Sequence, residues 1–284
     1  MNTIKSLAVA AAALAALSSC AFNINIPQLK ESFIKPSGNI ITKDTVVAGF
    51  DTLDIRNSFN VTYVQADGTP EVRIETSDNI MPYVLLEQED GNLKIRLDMK
   101  NNRTISINGG VINVYVTSPN LVKLIMGGSS DFTAKDTLRT SAFSLTCWGS
   151  SDVNFGSIIS EGAFESSISG SGDVNVNGLL SCSEFSLRIT GSGEADVDNL
   201  SCGAADLTVS GSGDMEFDDI STESVNVAVT GSGNVNLAGK TKRVNAAVSG
   251  SGDINLYGLK YEEIATSVSG SGDIRRSGDS NKDD

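Results

Sequence analysis

The sequence predicts an all-β protein of the parallel β-helix type, in which coils of about 20 residues stack into a solenoid. Glycine is abundant, with 28 residues against only 5 prolines, as expected of an ordered chain with many tight turns. A tetrad Gly-Ser-Gly-Asp recurs with small variations. Its copies begin at Gly128, Gly149, Gly170, Gly191, Gly211, Gly231, Gly250 and Gly270. This spacing is too short for propeller blades, so a right-handed β-solenoid is the expected architecture.

Apolar and polar residues alternate around every tetrad, and this period of two indicates short strands. Two places before the first glycine stand Met126, Cys147, Ile168, Ile189, Val209, Val229, Val248 and Val268. Four places after it stand Phe132, Val153, Val174, Ala195, Met215, Val235, Ile254 and Ile274. Further along, a Gly, Asn or Asp precedes Leu179, Leu200, Ile220 or Leu259. Stacking the coils should turn these positions into continuous apolar columns, because one short strand pair cannot bury its own apolar face.

The glycines have a mechanical interpretation. A corner that is repeated in every coil requires backbone conformations with positive φ, which glycine adopts without a Cβ clash. We therefore expect the first glycine of each tetrad to lie at such a corner.

The first residues indicate export and lipid anchoring. Lys5 is followed by an apolar run at 7–17 that is too short to span a bilayer, so residues 1–19 are predicted to be a signal peptide. The run ends in Leu-Ser-Ser-Cys, which resembles a bacterial lipobox with Cys20 as the lipidated residue. The alternative is an ordinary signal peptide with a chance cysteine. The next residue is Ala21 rather than aspartate, which favours an outer-membrane lipoprotein, facing the periplasm or the cell surface.

The rest of the chain divides by pattern. Residues 20–47 are predicted to be a tether that ends in an ordered strand, and 48–125 to be irregular coils and a cap continuous with the repeat. Within that section Asn57 opens a degenerate tetrad, strands are predicted at 72–75, 93–97 and 111–116, and 90–92 is a turn signal. Residues 126–276 are the regular solenoid, and 277–284 form a polar tail.

Charge and composition exclude several functions. The formal net charge is -14, and no basic stripe exists to neutralise phosphates, so nucleic acid is not a predicted partner. The chain has no histidine, which excludes a histidine triad, histidine-ligated zinc and histidine-based pH switching.

An acidic column is predicted three places after each first glycine. Its members are Asp131, Asp152, Asp173, Glu194, Asp214, Asn234, Asp253 and Asp273. Stacked carboxylates repel one another, so one hypothesis is a bridging hard cation such as Ca²⁺. The other is that each side chain accepts backbone N–H bonds at its own corner. The repeat length does not match calcium-binding nonapeptides, which favours the second hypothesis. No cofactor is predicted beyond this possible calcium.

Four further residues are candidates for chemistry or stabilisation. Cys182 and Cys202 occupy the same place in adjacent coils, so they are either a disulfide or stacked free thiols. Cys147 takes an apolar column position and should be a buried small hydrophobe. Trp148 should point outward or lie beneath the cap, where it either stacks on a sugar ring or seals the junction between irregular and regular coils.

The chain also resembles a known family. The lipobox, the segment 50–55, the step at 118–121 and the Gly-Ser-Gly-Asp repeats, as in Gly252-Asp253-Ile254-Asn255, are similar to the putative auto-transporter adhesin, head GIN domain family. The resemblance covers about residues 48–276. It implies a β-helical fold and an exported location, as in Bacteroidetes-type bacteria, and it supplies no catalytic residues.

These observations predict an exported, lipid-anchored binding or adhesin-like module that is not an enzyme. Its expected partners are the membrane, through the lipid, and a glycan or another envelope protein. One alternative is a structural scaffold of the envelope. The other is a polysaccharide-active enzyme using the basic group at Lys240, Lys242 and Arg243, but the regular spacing leaves no long loops to wall a cleft.

Overall fold

The computed structural model describes residues 34–98 and 110–277. The predicted signal peptide, Cys20 and residues 278–284 lie outside the described part of the chain. The first seven strands are β1 (Ile40–Val46), β2 (Thr52–Asn57), β3 (Asn60–Gln65), β4 (Glu71–Ser77), β5 (Val84–Glu89), β6 (Asn92–Leu97) and β7 (Asn113–Ser118). A 3-10 turn, Met81–Tyr83, precedes β5.

The repeat section forms the remaining strands. They are β8 (Lys123–Gly128), β9 (Asp131–Thr140), β10 (Phe143–Gly149), β11 (Asp152–Ser160), β12 (Phe164–Gly170), β13 (Val174–Ser181), β14 (Glu184–Gly191), β15 (Glu194–Ser201), β16 (Ala204–Gly211), β17 (Asp214–Ser221), β18 (Ser224–Gly231), β19 (Val235–Lys240), β20 (Arg243–Gly250), β21 (Ile254–Lys260), β22 (Glu263–Gly270) and β23 (Ile274–Arg276).

The strands build two facing sheets, which confirms the predicted β-solenoid. Sheet A has 12 strands and sheet B has 11, and from β8 onward the chain alternates between them. Each strand in this section pairs in parallel with the equivalent strand of the neighbouring coil. The interior between the sheets is one continuous apolar core that runs from Phe50 to Ile274.

The register places equivalent repeat residues side by side. Met126 pairs with Cys147 and Cys147 with Ile168, and all three are buried. The tetrad glycines align as well, with Gly128 opposite Gly149, and φ at the first glycine of every tetrad is positive, between 88° and 141°. The predicted columns and corners are therefore present, and Cys147 is the expected buried hydrophobe.

One predicted column member is wrong. Leu180, not Leu179, pairs with Leu200 and is buried, whereas the Leu179 side chain is 41% exposed. The register between β13 and β15 shifts between Val176 and Leu179, and this irregularity moves the following side chains by one place.

The N-terminal section contains the predicted strands in an unexpected spatial order. Asn57, with φ 90°, takes the place of a tetrad glycine and pairs with Gly128, so β2 and β3 form the first coil against β8 and β9. The segment between β3 and β8 packs outside this coil, where β6 and β7 continue the sheets in parallel and β4 and β5 add antiparallel strands. Strand β1, from before the first coil, pairs antiparallel with β4 at the edge of sheet A. The cap is therefore an insertion after the first coil, and the end of the predicted tether is the edge strand β1.

Aromatic rings fill the middle of the core. Phe143, Phe164 and Phe185 stack along sheet B with centroid separations of 5.7 and 5.3 Å. The next position in this column is Ala205, and the Phe217 ring from sheet A lies 5.7 Å from Phe185 in an edge-on contact. A large side chain from sheet A thus fills the space beside a small side chain of sheet B, which keeps the core densely packed.

Candidate functional site

The acidic column lies on the outer surface of sheet A, at the end of each corner. Its side chains connect successive coils, because Asp152, Asp173, Asp214, Asn234 and Asp253 each accept a hydrogen bond from the backbone N–H of the next member. The distance is 3.0 Å from the Glu194 nitrogen to Asp173 Oδ1 and 2.9 Å from the Asp273 nitrogen to Asp253 Oδ1. The favoured hypothesis is correct about the kind of bond, but at these five members the donor belongs to the next coil. Asp273 accepts at its own corner, from the Ile274 nitrogen at 2.8 Å.

Two features reduce the repulsion along this column. Asn234 is neutral, and its backbone nitrogen and side-chain Nδ2 both bond to Asp214 Oδ1, at 2.6 and 3.0 Å. Arg275 lies 2.9 Å from the Asp253 carboxylate and 3.6 Å from that of Asp273. Within residues 34–98 and 110–277, no group of three His, Cys, Asp or Glu side chains is arranged to hold a metal ion.

A denser acidic cluster shares Glu194 with the column and extends along strands β15 and β17. It comprises Glu194, Asp196, Asp198, Glu216 and Asp218. The pKa of Asp196 is raised, first by burial and then by the neighbouring carboxylates, and one of its oxygens is buried without a hydrogen-bond partner. The pKa of Glu194 is raised chiefly by Asp196. Mutual repulsion therefore opposes folding at this place when the carboxylates are ionised.

We expect Asp196→Asn to raise the free energy of unfolding at pH 7 by about 0.5–1 kcal/mol, because it removes one charge from this cluster. A carboxyl whose pKa is raised in the folded state costs stability above that pKa, and the cost disappears as the pH falls through it. The difference between variant and wild type should therefore shrink from pH 7 towards pH 4. Denaturant melts at several pH values measure it.

The control is Glu161→Gln, an exposed carboxylate at a turn outside the cluster. Equal effects of Asp196→Asn and Glu161→Gln at pH 7 would contradict a local repulsion.

Trp148 lies on the outward face of sheet B at the junction between the first coil and the repeat. It is 39% exposed, and its ring occupies the space over Gly127, where an added Cβ would come within 2.2 Å of the ring. The Arg56 guanidinium lies 5.4 Å from the ring centroid and is held by Asp54 through bonds of 2.8 and 2.9 Å. One part of the indole thus packs against the junction between the first coil and the repeat, and another part faces outward. Sealing this junction and stacking on a sugar ring are both compatible with this placement. The roles of Gly127 and Arg56 were not predicted.

A column of small hydroxyl side chains continues from Trp148 along the same face. The register places Ser169, Thr190, Ser210, Thr230, Ser249 and Ser269 side by side in successive coils. Beside this column, strands β16, β18, β20 and β22 form a shallow trough of about 380 Å³. Its lining includes Asp206, Thr208, Asn226, Ala228, Asn245 and Ala247.

Amide side chains border the trough in a hydrogen-bonded ladder. Asn226 Nδ2 donates to Asp206 Oδ1 at 2.6 Å, and Asn245 Nδ2 donates to Asn226 Oδ1 at 2.8 Å. The small side chains of Ala228 and Ala247 leave the floor of the trough accessible. The face therefore combines fixed polar groups, hydroxyls and one aromatic ring on a flat surface.

Cys182 and Cys202 lie in adjacent coils, directly after the paired residues Ser181 and Ser201, as predicted. Both are free thiols in this structure. A hydrogen bond between the two side chains lowers the pKa of Cys182 and raises that of Cys202. Their oxidation to a disulfide stays a prediction.

The basic group considered for catalysis lies at a corner. Lys242 forms an ion pair of 2.5 Å with Glu223, and this contact raises the pKa of Lys242. The arrangement is that of a solvated ion pair between neighbouring coils.

The described part of the chain also contains no helix that is long and apolar enough to cross a membrane.

Taken together, the two-sheet interior, the short corners and the flat polar faces define an elongated β-solenoid scaffold. The profile of the putative auto-transporter adhesin, head GIN domain family matches residues 49–219 and 186–278. The chain belongs to this family. Family membership supports an adhesin-like role and an exported, cell-surface location.

Solved structures share the fold. A putative adhesin from Parabacteroides merdae ATCC 43184 is 20% identical, with a TM-score of 0.74, covering 86% of this chain and 99% of the other. A putative lipid binding protein from Parabacteroides distasonis ATCC 8503 is 22% identical, with a TM-score of 0.74 and coverage of 86% and 98%. A putative adhesin from Bacteroides fragilis NCTC 9343 is 22% identical, with a TM-score of 0.62 and coverage of 86% and 99%. No curated protein matches the chain.

Proposed function

We propose that the chain is an outer-membrane lipoprotein, anchored through Cys20, that binds a neutral glycan along the outward face of sheet B without modifying it. One observation carries the proposal. An exposed tryptophan, a column of hydroxyls and a trough bordered by amides share this single face.

The chemistry of the face suits a sugar polymer. The apolar side of a pyranose ring packs on an indole ring, and Trp148 is the only tryptophan of the chain. Sugar hydroxyls both donate and accept hydrogen bonds, as do the serine and threonine hydroxyls and the Asn226 and Asn245 amides. The strand spacing of about 4.8 Å repeats these groups along the solenoid, so an extended ligand can make the same contact several times.

Charge favours a neutral ligand. The chain carries a net charge of -14, and the acidic cluster lies on the opposite sheet. A polyanionic glycan or a teichoic-type polymer would be repelled over a distance of about one Debye length, roughly 8 Å at physiological salt. A neutral polysaccharide does not encounter this repulsion.

The regular coils favour binding over catalysis. Successive tetrads from Gly128 to Gly270 are separated by nearly constant intervals, so no inserted loop walls a cleft along this stretch. The trough on sheet B is open, whereas glycoside hydrolysis requires two carboxyl groups held on either side of the scissile bond and shielded from bulk water.

The test is binding of neutral polysaccharides to cells that display the chain, followed by isothermal titration with the chain from Ala21 onward. We expect Trp148→Ala to weaken binding roughly tenfold, about 1.4 kcal/mol, because the stacking platform is lost. Tyr257→Ala is the matched control, since Tyr257 is an exposed aromatic residue on sheet A. Ala228→Arg should also abolish binding by filling the trough.

The proposed lipid anchor is tested by fractionating the same cells. Cys20→Ser should move the chain from the membrane fraction to the soluble fraction. Equal losses in Trp148→Ala and Tyr257→Ala would contradict the sheet B site. The absence of any glycan ligand would favour the structural-scaffold alternative, and release of reducing sugar would favour the enzyme.

A further inference from the structure

The C-terminal end of sheet B presents an open strand edge. In the part of the chain that the structure describes, β22 is the last strand of this sheet. Its inward positions are Ile264, Thr266 and Val268, which continue the buried columns. Val248, one coil earlier, is 2% exposed, whereas Val268 is 47% exposed. An apolar column thus ends without a covering layer from the described residues.

The backbone of β22 has hydrogen-bonding groups aimed past this edge. The Glu263 nitrogen donates to the Lys242 carbonyl of the preceding coil at 2.9 Å. In a β-strand, successive residues direct their N–H and C=O groups to opposite sides. The groups of residues 264, 266 and 268 therefore point away from β20, towards the open end. An edge of this length is a template for pairing with another strand.

The other ends of the solenoid are less suited to pairing. In sheet A the last strand, β23, has only three residues, and it places Arg276 in the column of Leu256. At the N-terminal end the antiparallel strands β5 and β1 cover the coils. At the C-terminal end of sheet B, by contrast, the full-length edge strand β22 leaves inward-facing side chains of the core exposed.

The residues after β23 in the sequence are polar or charged. Residues 278–284 are Gly-Asp-Ser-Asn-Lys-Asp-Asp, with no apolar side chain. We infer that this edge pairs with the β22 edge of a second copy of the chain, in antiparallel orientation about a two-fold axis at Thr266. The inference does not depend on glycan binding.

The register of this pairing follows from the sequence of β22. With Thr266 opposite its own copy, Ile264 lies opposite Val268 and both face the interior, as cross-strand apolar pairs require. Glu263 then lies opposite Ser269, so like charges do not face each other directly across the two strands. A shift by one residue would place inward side chains opposite outward ones, which fixes the register.

The two-fold axis also explains why pairing should stop at two copies. The same surface is used on both sides, so a dimer leaves no second β22 edge open, and the opposite edge of sheet B is the antiparallel cap strand β5. The contact is limited to one strand and the adjoining coil end, which places it among small interfaces of less than about 1,200 Å². We therefore expect a weak, concentration-dependent dimer.

Sedimentation equilibrium of the chain from Ala21 onward tests the inference. Among the described residues, the fully buried core begins at Phe50, which lies 30 residues after the cut. We expect the weight-average mass to rise towards twice the monomer mass between about 1 and 500 μM, the range of weak complexes. Val268→Lys should keep the mass at that of a monomer while leaving the circular dichroism spectrum unchanged. A constant monomer mass for the wild type, or masses beyond the dimer, would overturn the proposal.

Cysteine cross-linking gives a second, register-specific test. Two residues directly opposite in a hydrogen-bonded antiparallel pair have Cα atoms about 5.5 Å apart, inside the disulfide range. Thr266→Cys should therefore form an interchain disulfide under mild oxidation. Ser267→Cys is the matched control, because this residue lies diagonal to its copy and points outward. Cross-linking of both variants to the same extent would refute the register, and cross-linking of neither would assign the edge to a different partner.

Discussion

Replacing Gly211 with alanine is expected to lower the free energy of unfolding by at least about 3 kcal/mol, as measured by denaturant melts. Two effects combine at this corner. The φ angle is +141°, which residues with a side chain rarely adopt, and an added Cβ would lie 2.4 Å from the Gly191 carbonyl oxygen. That oxygen already accepts the hydrogen bond from the Ser212 nitrogen at 2.8 Å, so it cannot move away freely.

Two further glycines separate these effects. Gly68 has φ +122° and no atom within 4 Å of an added Cβ, so Gly68→Ala carries the conformational cost alone, about 1 kcal/mol. Gly213 has no such φ, but its Cβ would lie 2.4 Å from the Gly193 carbonyl oxygen, so Gly213→Ala carries the contact alone. If Gly211→Ala cost no more than Gly68→Ala, the close stacking of corners would not be a constraint.

Phe164→Ala should destabilise the chain by about 3–5 kcal/mol, because it removes the middle ring of a buried stack. Phe164 is 2% exposed, and its ring centroid lies 5.7 Å from that of Phe143 and 5.3 Å from that of Phe185. The rings on either side are fixed by their own coils, so the surroundings cannot collapse fully into the cavity. Chemical denaturation with a global fit of the m-value measures the loss.

Leu179→Ala provides the comparison for Phe164→Ala. Leu179 is 41% exposed, so its truncation should cost less than about 1 kcal/mol. A similar loss of unfolding free energy in both variants would mean that an apolar side chain stabilises the chain equally whether it lies between the sheets or outside them. That result would contradict the buried core described above.

The repeat made much of the fold predictable from the sequence. A constant interval between tetrads fixes which residues are equivalent, so the interval alone assigns Met126, Cys147 and Ile168 to one buried column. The degenerate tetrad at Asn57 was recognisable from its local sequence instead, since asparagine tolerates positive φ better than most residues. The Asp90-Gly91 turn joining β5 and β6 followed from local turn chemistry.

Other features depend on geometry that the repeat length of the sequence does not specify. The misplaced Leu179 follows from a register irregularity, whose position is set by packing between strands. Gly127 gave no signal of its own, because its role is to leave space for Trp148 from the next coil. The acidic column was visible, but the choice of donor requires the vertical offset between coils, which places the Glu194 nitrogen beside Asp173.

The cap inserted after the first coil has a consequence for the order in which the polypeptide can fold. Strand β2 pairs with β8 through contacts such as Asn57 with Gly128, while the residues between them build the outer layer. A nascent chain emerges from its N-terminus, so the first coil must wait for a segment far downstream before its second side is closed. Once β8 is in place, each later coil needs only the one before it. We therefore expect assembly to be slow to start, limited by loop closure, and rapid thereafter.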